Sequence, residues 1–467
     1  MRRVLNVLAA AALVALPGCA SLSAQSNDPL IDARETRGYR LSTVSSERAS
    51  DDLMVVVSFS GGGKRSAAFG YGALAAMRDM TFTYNGVRRN LLHEVDILTG
   101  VSGGSFPAAY YALHRDAIFQ TFREDFLDED LNDEIAGIYL LPWRWDWMVN
   151  PDWGTNDEMA RVYDEKMFHG ATFEDLEKLG PPFVMVQATD LANGAAFPFT
   201  QSQFDLICSN LSTYPLARAV AASNGFPILF TPIVLKNYRD NCAMKEPAWV
   251  TRGLADPDPL SRQRQQSLLA RRYTRVDEPS YVHLIDGGVA DNLAMRGLLD
   301  YISRYDNPAQ APDPDGRLTK ITRILFISID GQADKDRTIS RAPLVGSVLR
   351  IAGAVTSNTI DSYNFETLRL ARTAARNMAE NLTRLRCANG GKGPGARSAM
   401  IHIALSEQPG AEALKDIPTG LTISSEQVDQ LTEAGQNAVE RNAALSQFLA
   451  EADIEDRCPV SLAGAGE

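Results

Sequence analysis

The sequence predicts an α/β domain, and two observations carry that prediction. Short β-branched apolar runs alternate with stretches whose apolar residues recur at helical spacing, and glycine-rich turns sit where a run gives way to a helix. Leu53 to Phe59 is the first run; it ends at Gly61-Gly62-Gly63, and Ser66 to Met80 continues with Ala, Leu and Met at helical spacing. Glu94 to Leu98 is the second, followed by Gly100 to Gly104 and an apolar helix reaching Leu113. Phe183 to Ala188, Tyr281 to Ile285 and Ile321 to Ile329 are further strands, expected to be buried on both faces as in a parallel sheet. Met400 to Leu405 reads as one more. Leu344 to Arg386 carries an extended helical pattern with a break expected near Thr356-Ser357, and Ser425 to Ala450 carries another, capped by Ser424 or Ser425. Between them the glycine-rich stretch Asn389 to Gly395 must be a loop.

The N-terminus is an address. Arg2 and Arg3 precede an uncharged apolar run from Val4 to Ala15, too short to span a bilayer, and Leu16-Pro17-Gly18-Cys19 follows. A small residue before a cysteine resembles a bacterial lipobox, although Pro17 is unusual at its position. The resemblance implies a signal peptide over 1–18, cleavage before Cys19, and lipid on its thiol and new amino terminus. By the same analogy Ala20, where Asp would mark inner-membrane retention, points to the outer membrane of a bacterial envelope. Simple secretion by cleavage elsewhere is the alternative. Residues 19–50 are polar, without sustained period, and read as a lipidated tether. The globular body is expected over 51–335, followed by a mainly helical extension over 336–467 whose role the sequence leaves open.

The formal net charge is −12, and loss of Arg2 and Arg3 makes it about −14. That balance argues against nucleic acid as a partner, because neutralising phosphates needs clustered Lys and Arg. Five cysteines are present; with Cys19 lipidated, Cys208, Cys242, Cys387 and Cys458 remain. In an oxidising compartment neighbours in sequence would pair as Cys208–Cys242 and Cys387–Cys458, with free buried thiols as the alternative. No spacing suggests a metal site, and no cofactor is expected.

Three short segments carry the chemistry. Ser60-Gly61-Gly62-Gly63-Lys64-Arg65 places consecutive glycine N–H groups at a helix N-terminus, suited to a negatively charged oxygen. It fails as a phosphate loop, because Arg65 stands where Ser or Thr should follow Gly-Lys. The dinucleotide fingerprint fails too, with Ser66 in place of its last Gly or Ala. Gly100-Val101-Ser102-Gly103-Gly104, between a strand and a helix, is a nucleophile-elbow arrangement that exposes a serine hydroxyl on a sharp turn. Asp286-Gly287-Gly288 ends a strand, which places a carboxylate on the edge where α/β sites form; an ordinary Asp-Gly turn is the alternative.

In this order the three segments resemble the patatin-like phospholipases. The resemblance implies a three-layer α/β/α fold with a mostly parallel central sheet, and a lipid acyl hydrolase acting on carboxylic esters without a cofactor. It implies Ser102 as nucleophile, Asp286 as its base, Gly61, Gly62 and Gly63 as oxyanion donors, and Arg65 as support for that loop. Val186 to Phe199 and Ala221 to Ile233 resemble two further blocks of the family, so the likeness runs from about residue 53 to about 300. A non-catalytic envelope lipoprotein, with the fold serving a protein partner, is the competing reading.

A Ser-His-Asp triad is the rival mechanism. Alternation along Tyr281 to Ile285 turns His283 away from Asp286. His402 falls in the order Ser, Asp, His, yet sits inside an apolar strand pattern and reads as a packed strand residue; His93, His114 and His169 have no motif. Four of the five tryptophans, Trp143, Trp145, Trp147 and Trp153, fall within eleven residues, most of which Pro142 and Pro151 frame. A lid or interfacial contact is one reading, and packing as a satellite core is preferred, since Asp146 and Asp152 would be repelled by anionic head groups.

Overall fold

In the computed structural model of the chain, residues 27–31, 37–44, 50–150, 153–227, 229–242, 246–275, 280–304, 320–332, 348–387 and 395–454 are described. The segment read as a signal peptide (residues 1–18), Cys19, most of the loop from Asn389 to Gly395, and Cys458 lie outside them. The central sheet has eight strands: β1 (Leu53–Phe59), β2 (Val95–Val101), β3 (Phe183–Asp190), β4 (Ala195–Pro198), β5 (Ile233–Lys236), β6 (Tyr281–Ile285), β7 (Arg323–Asp330) and β8 (Arg397–Ala404). Their order is β8-β7-β1-β2-β3-β6-β5, with β4 paired to β3. The first five strands of that order are mutually parallel, whereas β6, β5 and β4 pair antiparallel. The mostly parallel sheet expected from the sequence is therefore present, closed at one end by antiparallel strands.

Burial follows position in that order. Every residue of β1, β2 and β3 is buried, as strands covered by helices on both faces require. In β6, by contrast, Tyr281 and His283 are exposed while Val282 and Leu284 are buried, because β6 lies near the antiparallel end of the sheet. The expectation that this strand is covered on both faces is corrected accordingly. The helices that bear on the site are α1 (Gly63–Asp79), α2 (Ser105–His114), α3 (Leu216–Ser223), α4 (Val348–Cys387), α5 (Ser425–Glu440) and α6 (Ala443–Ala450). Helix α4 runs unbroken through Thr356-Ser357, for two poor helix formers cost only tenths of a kcal/mol each (~0.5 at most), and no proline interrupts the ladder. The single helix expected over Ser425 to Ala450 is two. Ser424 caps α5 reciprocally with Gln427, and the Asn442 side chain accepts from the Leu445 N–H to start α6 anew.

The two flanking regions are more deeply built into the body than the sequence suggests. Strand β8 adds in parallel to β7, from Arg323 opposite Arg397 to Asp330 opposite Ala404. Helix α5 lies so close on α1 that a Cβ at Gly72 would stand 2.0 Å from the Thr432 carbonyl oxygen, and one at Gly435 2.1 Å from that of Phe69. Residues 395–454 thus complete the sheet and one helical layer. Within the span read as a tether, Tyr39 is fully buried, its ring stacked on Phe183 and its hydroxyl accepting the Val184 N–H at 2.7 Å. That part of the span belongs to the body. Cys208 and Cys242 form a disulfide with Cα atoms 6.0 Å apart, and Cys387 is also disulfide-bonded. No helix among the described residues is long and apolar enough to cross a membrane.

Candidate active site

Strand β2 ends at Val101, and the chain turns at Ser102 into α2. Ser102 has φ +50, a left-handed conformation that costs a non-glycine residue about 1–3 kcal/mol and persists only where neighbours hold it. Two contacts do so. The Ser102 N–H donates to Ser223 Oγ at 2.9 Å, and Ser223 Oγ donates in turn to the Gln187 carbonyl on β3 at 2.6 Å. Gly103 next to it is a packing necessity: a Cβ there would lie 2.0 Å from the Gly63 carbonyl oxygen. The elbow and the glycine loop therefore interlock backbone to backbone.

Asp286 arrives by a different route. Strand β6 runs against β3, with Leu284 opposite Asp190 and Ile285 opposite Thr189, while β2 places Val101 opposite Gln187. The end of β6 thus meets the end of β2 across one strand, although the two run in opposite directions. β6 comes in from beyond the shared carboxyl edge of the parallel strands and runs back toward it, so its own carboxyl end lies at that edge, level with the end of β2. It reaches Ser102 because β6 pairs with only the last residues of β3 and stops there. Ser102 Oγ donates to Asp286 Oδ2 at 2.9 Å, and the other carboxylate oxygen accepts the Gly288 N–H at 2.8 Å. Ser102 and Asp286 are both 8% exposed. Burial pushes the Asp286 carboxyl up to about 6, against the opposing pull of the Gly288 N–H and the Ser102 hydroxyl.

The glycine loop departs from expectation at one position. The Gly61 N–H donates to the Asn292 carbonyl at 2.9 Å, so it is committed to the fold and does not face the site as an open donor. Gly62 (φ +140) and Gly63 (φ +60) open α1, and no hydrogen bond to either N–H forms among the described residues. They are among the N–H groups that a helix N-terminus leaves without an intrahelical partner. Arg65 is buried; its Nε donates to the Gly331 carbonyl at 3.0 Å and its Nη1 to that of Ile417 at 2.7 Å. It thereby joins the start of α1 to the end of β7 and to a segment far along the chain. Lys64 is fully buried over the Phe126 ring, with Nζ donating to the Glu129 carbonyl, and burial lowers its ammonium to about 8.

None of the five histidines bonds to Ser102 or Asp286. His402 on β8 faces Asp330 at 3.8 Å, and β8 is three strands from β2, roughly 14 Å at the usual interstrand spacing. His283 points to solvent, His93 pairs with Asp116, and His114 bonds the Met167 carbonyl. The residues the sequence did not single out are Asn224, Ser223 and Gln187. Asn224 Oδ1 is 3.2 Å from Ser102 Oγ, and Asn224 Nδ2 is 3.3 Å from Tyr163 Oη. The local signal for Ser223 and Asn224 was membership of the block from Ala221 to Ile233, and for Gln187 membership of that from Val186 to Phe199. The tryptophan segment divides: Trp147 packs against the core and Trp153 donates to Glu158 Oε1, but Trp143 and Trp145 are exposed, which corrects the satellite-core expectation for those two.

A family model for patatin-like phospholipases matches residues 57–299. Among solved structures, human GIVD cytosolic phospholipase A2 is similar with a TM-score of 0.44 and 11% identity, over 88% of this chain and 65% of that one. Its complex with methyl gamma-linolenyl fluorophosphonate and terbium chloride gives 0.43 and 12%, over 88% and 61%. The chain therefore spans less than two thirds of that protein's length. No curated protein sequence matches it at a significant level. On the family match, which takes in more than half of its residues, the chain belongs to the patatin-like phospholipases, a family of lipid acyl hydrolases.

Proposed function

We propose that the chain hydrolyses carboxylic esters of lipids, as a phospholipase or lysophospholipase, with Ser102 as nucleophile and Asp286 as general base. The observation that carries this reading is the 2.9 Å bond from Ser102 Oγ to Asp286 Oδ2 inside a strained, buried elbow. Asp286 takes the Ser102 proton as Oγ bonds to the acyl carbon, and the carbonyl π electrons move onto its oxygen. The N–H groups of Gly62 and Gly63, at the positive end of α1, meet that oxyanion. Collapse expels the alcohol with the proton from Asp286, and water, deprotonated by the same carboxylate, releases the fatty acid. A carboxyl near 6 suits this work, being ionised at neutral pH yet basic enough to accept a proton.

Anchoring through a lipidated Cys19 in a bacterial outer membrane would hold the enzyme at its substrate; mass spectrometry of the mature amino terminus tests it. For the chemistry, fatty-acid release from phosphatidylcholine and from a p-nitrophenyl ester is measured with protein lacking 1–19. Ser102→Ala and Asp286→Ala are expected to lose at least ~10³-fold in kcat, and His402→Ala to retain wild-type activity. A folded wild type inert on every ester would instead favour a non-catalytic lipoprotein.

A further inference from the structure

Ser102 has one hydroxyl proton and two oxygen neighbours. Asp286 Oδ2 stands at 2.9 Å and Asn224 Oδ1 at 3.2 Å. One hydroxyl donates to one acceptor, and an ionised carboxylate is the stronger of the two. An amide oxygen facing Oγ would then meet lone pairs with no hydrogen between them. The far end of the same amide has a matching defect. With Nδ2 facing Tyr163 Oη, the phenol accepts, and its own proton finds no partner among the described residues. Tyr163 is 1% exposed, so an unpaired hydroxyl there has no solvent to turn to and is destabilising.

Turning the amide plane by 180° removes both defects. Tyr163 O–H then donates to the Asn224 oxygen, the Asn224 NH2 donates to Ser102 Oγ, and Ser102 O–H donates to Asp286. Amide oxygen and nitrogen occupy the same space and are told apart by this kind of donor–acceptor matching. Burial holds the phenol above its usual range, so Tyr163 stays a donor at any working pH. The frame is rigid: Phe106 packs edge-on against the Tyr163 ring at 5.0 Å, and the Asn224 N–H caps α3 by donating to the Val220 carbonyl at 3.0 Å.

We propose that Asn224 is a third catalytic residue, donating its side-chain N–H to Ser102 Oγ, and that Tyr163 is the positioning residue that orients it. The assignment deepens the Ser102–Asp286 reading and rests on it for its catalytic part. As the Ser102 proton passes to Asp286, charge grows on Oγ before the bond to the acyl carbon is complete. A fixed N–H aimed at Oγ stabilises that charge without reorganisation. Asn224 keeps both its protons throughout; only the serine proton moves.

Two measurements on the full chain test this. In protein labelled with 15N-asparagine, the Asn224 side-chain pair is identified by its loss in Asn224→Asp. One proton of that pair is expected to shift upfield in Ser102→Ala, a readout that does not require the protein to be an enzyme; an unmoved pair overturns the hydrogen bond. In p-nitrophenyl ester hydrolysis, Asn224→Ala is expected to lower kcat by roughly 10²-fold with KM within about twofold, in a protein that still unfolds cooperatively, at a somewhat lower temperature because the Tyr163 hydroxyl loses its partner. Asn224→Asp should lose more and move the acid limb of the pH profile upward, because two carboxylates would then compete for one proton. Tyr163→Phe should cost ~5-fold alone and nothing further in Asn224→Ala, as expected of residues acting in series. Wild-type kcat in Asn224→Ala, or fully multiplicative losses in the double variant, would sink the proposal. An inert wild type with a shifted amide proton would retain the bond and reject the esterase reading.

Discussion

The two halves of the candidate site are built by opposite means. Ser102 and the glycine loop arise locally, each from a buried parallel strand that turns directly into a helix, and they lock together where Gly103 meets Gly63. Asp286 and Asn224 come from the antiparallel end of the sheet and the end of α3, and they meet Ser102 across 184 and 122 positions of sequence. The local half depends on close backbone approach, where no substituent fits. The distant half depends on side-chain hydrogen bonds, where geometry can be perturbed without collision. Steric failure should therefore dominate on one side and graded electrostatic failure on the other.

The largest effect is expected from Gly103→Ala. Its new methyl would stand 2.0 Å from a carbonyl oxygen, so the elbow and the glycine loop must separate. Activity should fall at least ~10³-fold and the melting temperature should drop with it, as in other overpacked sites. Retained activity would mean that the elbow and the glycine loop can move apart without harm to the site. Next comes Ser223→Ala, which frees the Ser102 N–H that helps hold φ at +50. Here kcat should fall about 10- to 100-fold with stability lowered by only ~1 kcal/mol, measured by denaturant titration.

Asp286→Asn sharpens the contrast through pH. The carboxyl is raised from 3.8 to about 6 by burial. In acid, below its unfolded value, it is protonated in both states and its burial costs little. As pH rises through about 6 the folded state must carry the charge, and stability is lost relative to that acid reference. The amide variant, inactive, should therefore be more stable than wild type by up to about 3 kcal/mol above pH 6, and about equal below pH 4. In wild type the same ionisation gives kcat/KM an acid limb near 6. The smallest effect is expected at His402→Gln: neither rate nor pH profile should change, since β8 lies three strands from the elbow.

Legibility followed the same division. The strands Leu53–Phe59 and Tyr281–Ile285 were read to the residue, because each starts after a polar residue and ends at a glycine-rich turn, which leaves little choice of boundary. Ser102, Gly62, Gly63 and Asp286 were all legible as motifs. The commitment of the Gly61 N–H to Asn292 was not, because a backbone donor's partner leaves no mark on its own sequence. Nor was the break between α5 and α6, where Arg441-Asn442 interrupts a helical pattern that keeps its apolar period on both sides. Trp143 and Trp145 were misplaced for a related reason, since clustering in sequence says nothing about which side of a helical turn faces water.

What the sequence by itself determined is everything written in short-range pattern: the α/β class, the strand-to-helix turns, the serine on its elbow and the aspartate at a strand end. Each is specified by sterics and hydrogen bonding within a few residues. Only the tertiary structure decided that β6 runs antiparallel and stops level with Ser102, that Asn224 and Tyr163 stand in line behind it, and that residues 395–454 complete the sheet. Those outcomes depend on which strand pairs with which, and pairing is chosen by the burial of the whole sheet.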